Sequence, residues 1–387
     1  MTDRATCCVG RRSVTEDSDF RTPLLFSARE TPVEFCWTRI DAGAFRMGSS
    51  DARFPDDGEG PVRIVRLSAF AIAAHTVTNA QFGDFVRETG YTTDAEHLNW
   101  SFVFQAFVPP AIKRRVVNVP SATPWWYPVS HAYWAQPEGP NSTVLDRLDH
   151  PVVHVSWNDA KAYCQWSGTR LPTEAEWECA ARGGLDQKLY PWGDTLMPQG
   201  EHRCNIWQGQ FPTRNTGDDG YIGTAPVNAY EPNGYGLYNV AGNVWEWCED
   251  FFSANYHNET PDKDPVCQTP CSSRSLRGGS FLCHESYCNR YRVAARSSNT
   301  PTSSASNLGF RVTTLYPEVV SFDEEDRLPS PWRRRERQTY LHWRRRCSVE
   351  LISEISPTPA CNGYPAHAAA ARKRPGKSAH NDARKLQ

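Results

Sequence analysis

The sequence predicts an α+β domain with little regular secondary structure. Segments with strand or helix periodicity are short, and turn-rich stretches separate them, with 25 glycines and 29 prolines among 387 residues. The chain also has 14 tryptophans, which supply a large aromatic area for burial. Short elements, long turns and abundant aromatic residues together indicate helices and strands packed around long, structured loops.

The first part of this pattern is a strand pair followed by a helix. Residues 40–49 are typical of a strand, a turn and a strand, and residues 62–67 alternate between apolar and polar side chains as a half-buried strand does. Between them, residues 51–59 form an acidic loop that could bind a cation, although a solvated loop is the commoner outcome. Thr78 then caps an amphipathic helix that Gly90 ends.

The middle of the chain predicts two further helices. Ser156 is the N-cap of one, and residues 172–178 begin the other with carboxylates in its first turn, where they complement the helix dipole. The helix start accounts for these carboxylates, so we assign no acid–base catalysis to them. The irregular region before these helices contains Trp125 and Trp126, which either form a floor for a bound peptide or anchor the loop in the core. We favour burial.

Composition and charge narrow the functional class. The chain is 39% hydrophobic and carries a net charge of −2, which predicts neither nucleic-acid binding nor attraction to membranes. No window is apolar for the roughly 18 residues of a membrane helix, and the first residues have no apolar core of signal-peptide length. The 13 cysteines are many for a cytosolic protein and too sparse for a small disulfide scaffold.

The patterning divides the chain into three segments. Residues 1–34 are polar and without period, which predicts a disordered segment or a misassigned start. Residues 35–316 carry the strands and helices and form one core domain. Residues 317–387 contain clusters of arginine and lysine that could bind nucleic acid, although a basic, disordered tail is the interpretation we favour.

Two cysteines, Cys283 and Cys288, lie five positions apart in a stretch that contains a histidine, two tyrosines and several arginines. Residues five apart do not share a face on a regular strand or helix, so both sulfurs can meet one partner only if the backbone bends. Ser286 and the preceding Gly278-Gly279 pair favour such a bend. The spacing allows a structural disulfide, buried thiols or a thiolate pair for a soft metal, copper(I) in preference to zinc.

Two stretches rich in oxygen atoms precede this pair. Residues 205–221 and 239–246 combine asparagines, carboxylates and glycine turns. Calcium takes six to eight oxygen ligands, many of them backbone carbonyls in such loops, but neither stretch matches an EF-hand. Calcium binding and simple turn formation therefore both remain open from these residues alone.

The sequence around the cysteines resembles the catalytic region of formylglycine-generating enzymes, the sulfatase-modifying factor family. The resemblance is carried by residues 278–296, by the closing run 306–311 and by residues 170–178, and it extends from about Phe35 to Val312. Both cysteines fall where the family has its copper-binding catalytic pair, which its non-catalytic paralogue lacks. The long insertion around residues 125–126 looks nearer to the animal-type enzymes than to compact bacterial ones.

The resemblance implies an α+β, C-type-lectin-like sulfatase-modifying-factor fold and a set of site residues. The implied catalytic positions are Cys283, Cys288, Ser280 and Trp245, and the implied substrate-orienting positions are His284, Tyr287, Arg290 and Asn307. The first implied calcium site consists of Asn205, Ile206, Asp219 and Tyr221, and the second of Asn239, Gly242, Val244 and Glu246. Ile206, Tyr221, Gly242 and Val244 would contribute main-chain carbonyls.

The implied activity is oxidation of a cysteine in the Cys-x-Pro-x-Arg motif of unfolded sulfatases to Cα-formylglycine, with copper(I), O₂ and a thiol reductant. This modification activates sulfatases, and the animal-type enzymes act in the endoplasmic reticulum lumen, although no signal peptide is visible here and a cytoplasmic location is the alternative. A client-binding, non-catalytic paralogue and a structural disulfide are the rival interpretations. Ala181, Val293 and Val312 stand where secreted relatives carry disulfide cysteines, so Cys164 is expected to lack its partner.

Overall fold

The structure is a computed structural model that describes residues 10–12, 33–51 and 53–315. The chain divides into two units, residues 1–321 and 322–387, and the predicted basic tail lies outside the described residues. The described helices are α1 (Asn79–Thr89), α2 (Asp94–Leu98), α3 (Pro110–Lys113), α4 (Trp157–Ser167), α5 (Glu174–Arg182) and α6 (Tyr256–Glu259). No helix in this part of the chain is long and apolar enough to cross a membrane.

Short strands form small sheets between the helices. The strands are β1 (Trp37–Ile40), β2 (Gly43–Met47), β3 (Arg63–Leu67), β4 (Phe70–Ala73), β5 (Trp100–Phe104), β6 (Trp126–Ser130), β7 (Gly209–Gln210), β8 (Arg214–Asn215), β9 (Trp245–Phe251), β10 (Arg274–Arg277), β11 (Ser297–Asn299), β12 (Leu308–Gly309) and β13 (Thr313–Leu315). One sheet has the order β1-β4-β13 and another β11-β10-β9-β12, in which only β9 and β12 pair in parallel. The pairs β2-β3, β5-β6 and β7-β8 are antiparallel hairpins. The prediction of an α+β domain with short elements is confirmed.

The three long helices begin where the sequence predicts, and the first also ends at the predicted Gly90. Each starts with a capping box, in which the N-cap hydroxyl accepts a backbone N–H and the side chain three positions later accepts the N-cap N–H. The N-caps are Thr78, Ser156 and Thr173. Each helix ends at a glycine in the left-handed conformation, as Gly90 does with φ +66°. Local hydrogen bonding therefore fixes these boundaries.

Tryptophans dominate the core. Trp126, Trp177, Trp245 and Trp247 are among the largest fully buried side chains of the described residues. The preference for burial is thus confirmed for Trp126, whereas Trp125 is half-buried and lies beside Tyr287. Cys164 forms no disulfide, as expected, and burial raises the pKa of its thiol to about 12.

Buried ion pairs tie helix α5 to the last third of the chain. The Glu174 carboxylate accepts hydrogen bonds from Arg296, and Glu178 is paired with Arg277 and Arg182. The helix start predicted for these carboxylates is confirmed, but both are fully buried, and their charges require these guanidinium partners. Glu174 in the first turn thus complements the helix dipole and binds Arg296, while Glu178 binds Arg277 of a distant strand and Arg182 of its own helix.

The acidic loop 51–59 is exposed in its first part, as a solvated loop is, but its end is bound to arginines. Asp57 accepts a hydrogen bond from Arg290 at 2.6 Å, and the buried Glu59 carboxylate forms a bidentate pair with Arg292. Both arginines directly follow the cysteine pair in sequence. The loop therefore fixes the segment that leaves the candidate site.

Candidate active site and metal-binding loops

The two cysteines predicted to act together do meet. The Sγ atoms of Cys283 and Cys288 lie 2.9 Å apart, and both side chains are fully buried. The bend that joins them is centred on His284, whose carbonyl accepts the N–H groups of Tyr287, Cys288 and Asn289 at 3.0, 2.8 and 3.1 Å. One tight turn thus places both sulfurs side by side. Cys288 forms a disulfide in this structure, but not with Cys283, so a metal ion could engage both sulfurs only after that disulfide is reduced.

Ser280 and Asn307 form the floor beside the sulfurs. The Ser280 N–H donates to Cys283 Sγ at 3.4 Å, and the Asn307 amide donates to Ser280 Oγ at 3.0 Å. An N–H aimed at a sulfur favours its thiolate form. The backbone N–H of Trp245 donates to the Asn307 carbonyl at 2.9 Å, which links strand β9 to this floor. Three further predicted site residues are therefore brought to the cysteine pair.

Gly279 allows this close packing. Its φ is +76°, and a Cβ at this position would lie 3.0 Å from the Arg290 carbonyl oxygen and the Tyr291 Cα. A larger residue would strain the backbone and push the two sides of the turn apart. The glycine pair predicted to favour a bend is thus required at the base of the loop.

Aromatic rings form one wall of the site. The Tyr287 ring stacks on Phe211 with centroids 4.6 Å apart and meets Trp125 edge-on at 4.9 Å. His284 is half-buried, and its Nδ1 lies 2.7 Å from Ser286 Oγ. Of the residues predicted to orient a substrate, Tyr287 and His284 therefore lie at the mouth of the site.

Arg290 lies beside the cysteine turn and contacts the acidic loop. Its guanidinium is paired with Asp57 at 2.6 Å and lies over the Phe54 ring at 4.0 Å, so this cation is already engaged within the protein. Its observed contacts hold the acidic loop against the cysteine turn.

A cavity of about 190 Å³ adjoins the cysteine turn. His284, Glu285 and Tyr291 line one side, and Cys204 and Trp207 line the other. The Trp207 N–H donates to the Cys283 carbonyl at 3.0 Å, which connects the cavity to the pair. Cys204 is buried, and burial raises the pKa of its thiol far above the usual range. The sequence analysis did not place Cys204 at the site, and no local motif distinguishes it from the other cysteines.

The donor set at the turn fits a soft ion. Two sulfurs converge there, and the described residues contain no cluster of three or more histidine, cysteine, aspartate and glutamate side chains. Structural zinc sites use four such ligands and catalytic ones three, whereas copper(I) is selected by thiolates. Cys283 and Cys288 therefore suit copper(I) better than zinc.

The first oxygen-rich loop contains a buried side-chain oxygen that could bind a cation. The Asn205 Oδ1 atom is buried and accepts no hydrogen bond from the described residues, while its Nδ2 donates to the Gly223 carbonyl at 2.8 Å. Asp219 is nearly buried, and burial raises the pKa of its carboxyl. A buried amide oxygen and a buried carboxylate in one loop fit a hard cation such as calcium, which would offset both desolvation costs.

The second loop offers a similar amide oxygen. Asn239 Oδ1 is buried and accepts no hydrogen bond from the described residues. Gly242 has a φ of +76°, and a Cβ there would lie 2.2 Å from the Asn205 carbonyl oxygen, so the two loops are in direct contact. The Glu246 carboxylate, by contrast, accepts hydrogen bonds from Arg311 and from Trp177. That carboxylate is thus engaged in a buried ion pair, which the sequence did not predict.

The chain matches one protein family over most of the described region. The family described as "Sulfatase-modifying factor enzyme 1-like domain" matches residues 27–315. The chain is 62% identical over 289 residues to the formylglycine-generating enzyme of Thermomonospora curvata, covering 73% of this chain and 95% of that protein. It is 55% identical over 272 residues to the bovine formylglycine-generating enzyme, covering 70% of this chain and 72% of that protein. The bacterial enzyme is thus more similar to this chain than the bovine one, so the prediction of a greater similarity to animal-type enzymes is wrong for these two relatives.

Two further likenesses bear on activity and fold. The bovine protein named inactive C-alpha-formylglycine-generating enzyme 2 is 47% identical over 278 residues, covering 70% of this chain and 86% of that protein. Among solved structures, PvdO from Pseudomonas aeruginosa matches with a TM-score of 0.54 at 23% identity, covering 72% of this chain and 94% of that one. These findings confirm the predicted α+β sulfatase-modifying-factor fold with a C-type-lectin-like core.

Proposed function

The chain belongs to the sulfatase-modifying factor enzyme family, and on that premise we propose that it oxidises a cysteine of sulfatase polypeptides to Cα-formylglycine and so activates them. The observation that carries the proposal is the buried pair of Cys283 and Cys288, 2.9 Å apart, above a floor of Ser280 and Asn307. Relatives named as formylglycine-generating enzymes are 62% and 55% identical to this chain.

Once the disulfide of Cys288 is reduced, Cys283 and Cys288 would hold copper(I), which when bound would supply the activation of O₂. Their burial would exclude bulk water from the ion, and the Ser280 N–H directed at Cys283 Sγ would favour the thiolate form that a metal requires. The Ser280 hydroxyl is oriented by Asn307, so it would present a fixed polar atom to the reacting groups. Trp245 is fully buried in the same hydrophobic cluster as the cysteines and would close the base of the pocket.

The substrate would be an unfolded segment with a Cys-x-Pro-x-Arg motif. An extended peptide binds through main-chain hydrogen bonds and a few side-chain pockets. The wall of Tyr287, Phe211 and Trp125 would contact its apolar atoms, and His284 at the mouth could donate to its backbone. In this proposal, Trp125 is part of a floor for the bound peptide at the entrance of the site, one of the two roles considered for it from the sequence.

The proposed reaction balances with a thiol reductant. A C–H bond at the β-carbon of the substrate cysteine breaks to give a thioaldehyde, and water then replaces its sulfur with oxygen. Overall, the CH₂–SH side chain, one O₂ and two reductant thiols give the aldehyde, hydrogen sulfide, one water and one disulfide. The cysteine β-carbon loses two electrons, the two reductant thiols together lose two more, and O₂ takes up all four.

Calcium would serve a structural role in this proposal. Asn205 and Asp219 would bind one ion and Asn239 would bind a second, because each loop contains a buried amide oxygen without a described donor. Both loops contact each other and precede strand β9, which carries Trp245. Bound calcium would therefore stiffen the loops that support the floor of the active site.

We place the proposed activity in the endoplasmic reticulum lumen. The asparagines of three glycosylation sequons, Asn99, Asn141 and Asn258, are all exposed, as modification in that compartment requires. Sulfatase chains that enter the lumen unfolded would meet the enzyme there.

Mass spectrometry of a Cys-x-Pro-x-Arg peptide tests the activity directly. Incubation with the copper-loaded chain, O₂ and a thiol reductant should convert CH₂–SH to CHO. Cys283→Ser and Cys288→Ser should abolish this mass change, whereas Cys271→Ser, an exposed cysteine, should retain it. An unchanged peptide with the folded, copper-loaded wild type would refute the proposal.

Copper stoichiometry separates the rival functions. The enzyme should bind one copper(I) per chain, and each serine variant of the cysteine pair should lose it. A client-binding paralogue or a structural disulfide predicts no copper and no effect of copper on peptide oxidation. Tight peptide binding without copper uptake would therefore favour the non-catalytic alternative.

A further inference from the structure

Three residues near the N-terminus dock onto the body of the protein. Although residues 1–34 are predicted to be disordered or misassigned, Gly10 and Arg12 are buried. The Gly10 carbonyl accepts from Asn299 Nδ2 at 3.0 Å, and the Arg12 N–H donates to Ser303 Oγ at 2.9 Å. Side chains of one loop thus bind the main chain of this segment, which is how proteins hold an extended peptide of variable sequence.

The Arg12 side chain enters a specific pocket. It is only 5% exposed, and its guanidinium donates to the carbonyls of Thr302 and Trp100. The guanidinium carbon lies 4.4 Å from the centroid of the Trp100 ring, within range of a cation–π interaction. The negative charges of Asp94 and Asp159 also attract this cation. Stacking, carbonyl acceptors and buried acids together make the pocket selective for arginine.

This pocket connects to the cysteine pair by two routes. The loop that holds Arg12 continues from Ser303 to Asn307, which donates to Ser280 at the floor of the site. Strand β5 runs from Trp100 to Phe104, and the Phe104 ring lies 5.5 Å from that of Trp207, whose N–H donates to the Cys283 carbonyl. The arginine pocket and the candidate active site therefore lie along one strand.

The docked residues point along that strand in a defined direction. Arg12 contacts Trp100 and Gly10 lies against Phe102, so the chain followed backwards from Arg12 moves toward Phe104. An extended peptide covers about 13 Å over four residues, which matches the distance from the first to the last residue of a five-residue strand. A peptide with an arginine in this pocket would thus direct the residue four positions earlier toward the site.

The sequence places a cysteine at that spacing. Residues 8–12 read Cys-Val-Gly-Arg-Arg, a Cys-x-Gly-x-Arg segment that differs from the proposed substrate motif Cys-x-Pro-x-Arg by glycine in place of proline. We propose that this segment is an intramolecular pseudosubstrate: Arg12 occupies the pocket that receives the motif arginine of a sulfatase, so the segment and the substrate exclude each other. The proposal rests on the proposed function for the identity of the substrate.

Gly10 explains how the segment differs from a substrate. A Cβ at this position would lie 2.4 Å from atoms of the Phe102 ring, so only glycine fits at the observed depth. The motif proline carries a Cβ, and a sulfatase peptide must therefore lie farther from Phe102 than the docked segment does. The same clash offers a way to release the segment without touching the arginine pocket.

The test measures peptide binding in the absence of copper. The probe is a fluorescent sulfatase-type peptide, Ser-x-Pro-x-Arg, whose serine prevents oxidation. Arg12→Ala and Gly10→Ala should each lower its apparent Kd at least about fivefold, because a receptor that is mostly self-occupied binds with a correspondingly raised Kd. Arg46→Ala is the matched control, since Arg46 lies outside the docked segment in a solvent-exposed pair with Asp186 and should leave the Kd within about twofold of the wild type.

A second measurement tests the segment as a free peptide. A synthetic peptide of residues 6–15 should displace the probe from the Arg12→Ala chain, and the same peptide with alanine at position 12 should not. Equal Kd values for all chains, or no displacement, would overturn the pseudosubstrate. Failure of the proposed function has a different signature, in which the probe binds and is displaced but the cysteine peptide is never oxidised.

Discussion

Replacing Arg311 by methionine should remove a fully buried cation that, like Arg296, makes five hydrogen bonds in the described core. Arg311 is fully buried, and its guanidinium makes two hydrogen bonds to Glu246, at 2.8 and 2.9 Å. It also donates to the carbonyls of Ala73, Ala74 and Tyr238 at 2.8 to 2.9 Å. Methionine has a similar length but no donor, so the substitution keeps most of the packing and deletes all five bonds.

The expected cost follows from the charge left behind. Removing one partner of a buried ion pair typically costs about 3–5 kcal/mol, because the other charge stays buried without compensation. The three carbonyls also lose their donor, which places Arg311→Met at the upper end, near about 5 kcal/mol. The matched control is Arg46→Met, since Arg46 and Asp186 form an ion pair with side chains 53% and 59% exposed. Solvated pairs of this kind contribute little, so the control should barely change stability.

Urea unfolding followed by tryptophan fluorescence measures both variants. With a slope of about 3 kcal/mol per molar urea, Arg311→Met should lower the midpoint by roughly 1.5 M without changing the slope. The double variant Arg311→Met with Glu246→Gln should recover part of the loss, because the buried charge is then gone. If Arg311→Met were no less stable than Arg46→Met, the claim that the buried Arg311–Glu246 pair stabilises the fold would be refuted.

Three further predictions test the floor, the loops and a buried carboxyl. Asn307→Asp removes the donor to Ser280 Oγ and should lower kcat/KM for peptide oxidation about tenfold, the equivalent of one hydrogen bond; a change under twofold would contradict the assigned role. Calcium should raise the Tm of the wild type. Asn239→Gly should reduce this rise, since only the site at Asn205 and Asp219 remains, whereas Asn99→Gly should leave it unchanged, both glycines keeping the positive φ; an equal rise in all three chains would exclude Asn239 as a ligand. Burial raises the pKa of Asp250 to about 8. Between its ordinary pKa near 4 and about 8, the folded protein therefore holds a proton on Asp250 that the unfolded chain has released. The free energy of unfolding should thus fall as the pH rises from 5 to about 8, and Asp250→Asn should flatten that fall.

The sequence by itself determined the local structure and the identity of the cysteine pair. The helices that begin after Thr78, Ser156 and Thr173 were predictable because their capping boxes join residues three positions apart. The bend between Cys283 and Cys288 was predictable for the same reason, since it depends on glycine conformations and on a five-residue spacing. Features whose hydrogen bonds join residues only a few positions apart can therefore be predicted from the local sequence.

Only the tertiary structure decided which distant groups are partners. Glu59 and Arg292 are separated by 233 residues, and the Glu178–Arg277 pair by 99, so no local pattern reveals that these charges are buried together. The acidic loop therefore looked solvated, and Glu246 looked available for calcium. Ion pairs between distant segments depend on how the sheets assemble, and this assembly also brings Arg12 to Trp100 on strand β5. The physical reason is that the role of each of these charges depends on its burial. Burial is decided by how the whole chain packs, and not by the residues next to the charge in sequence.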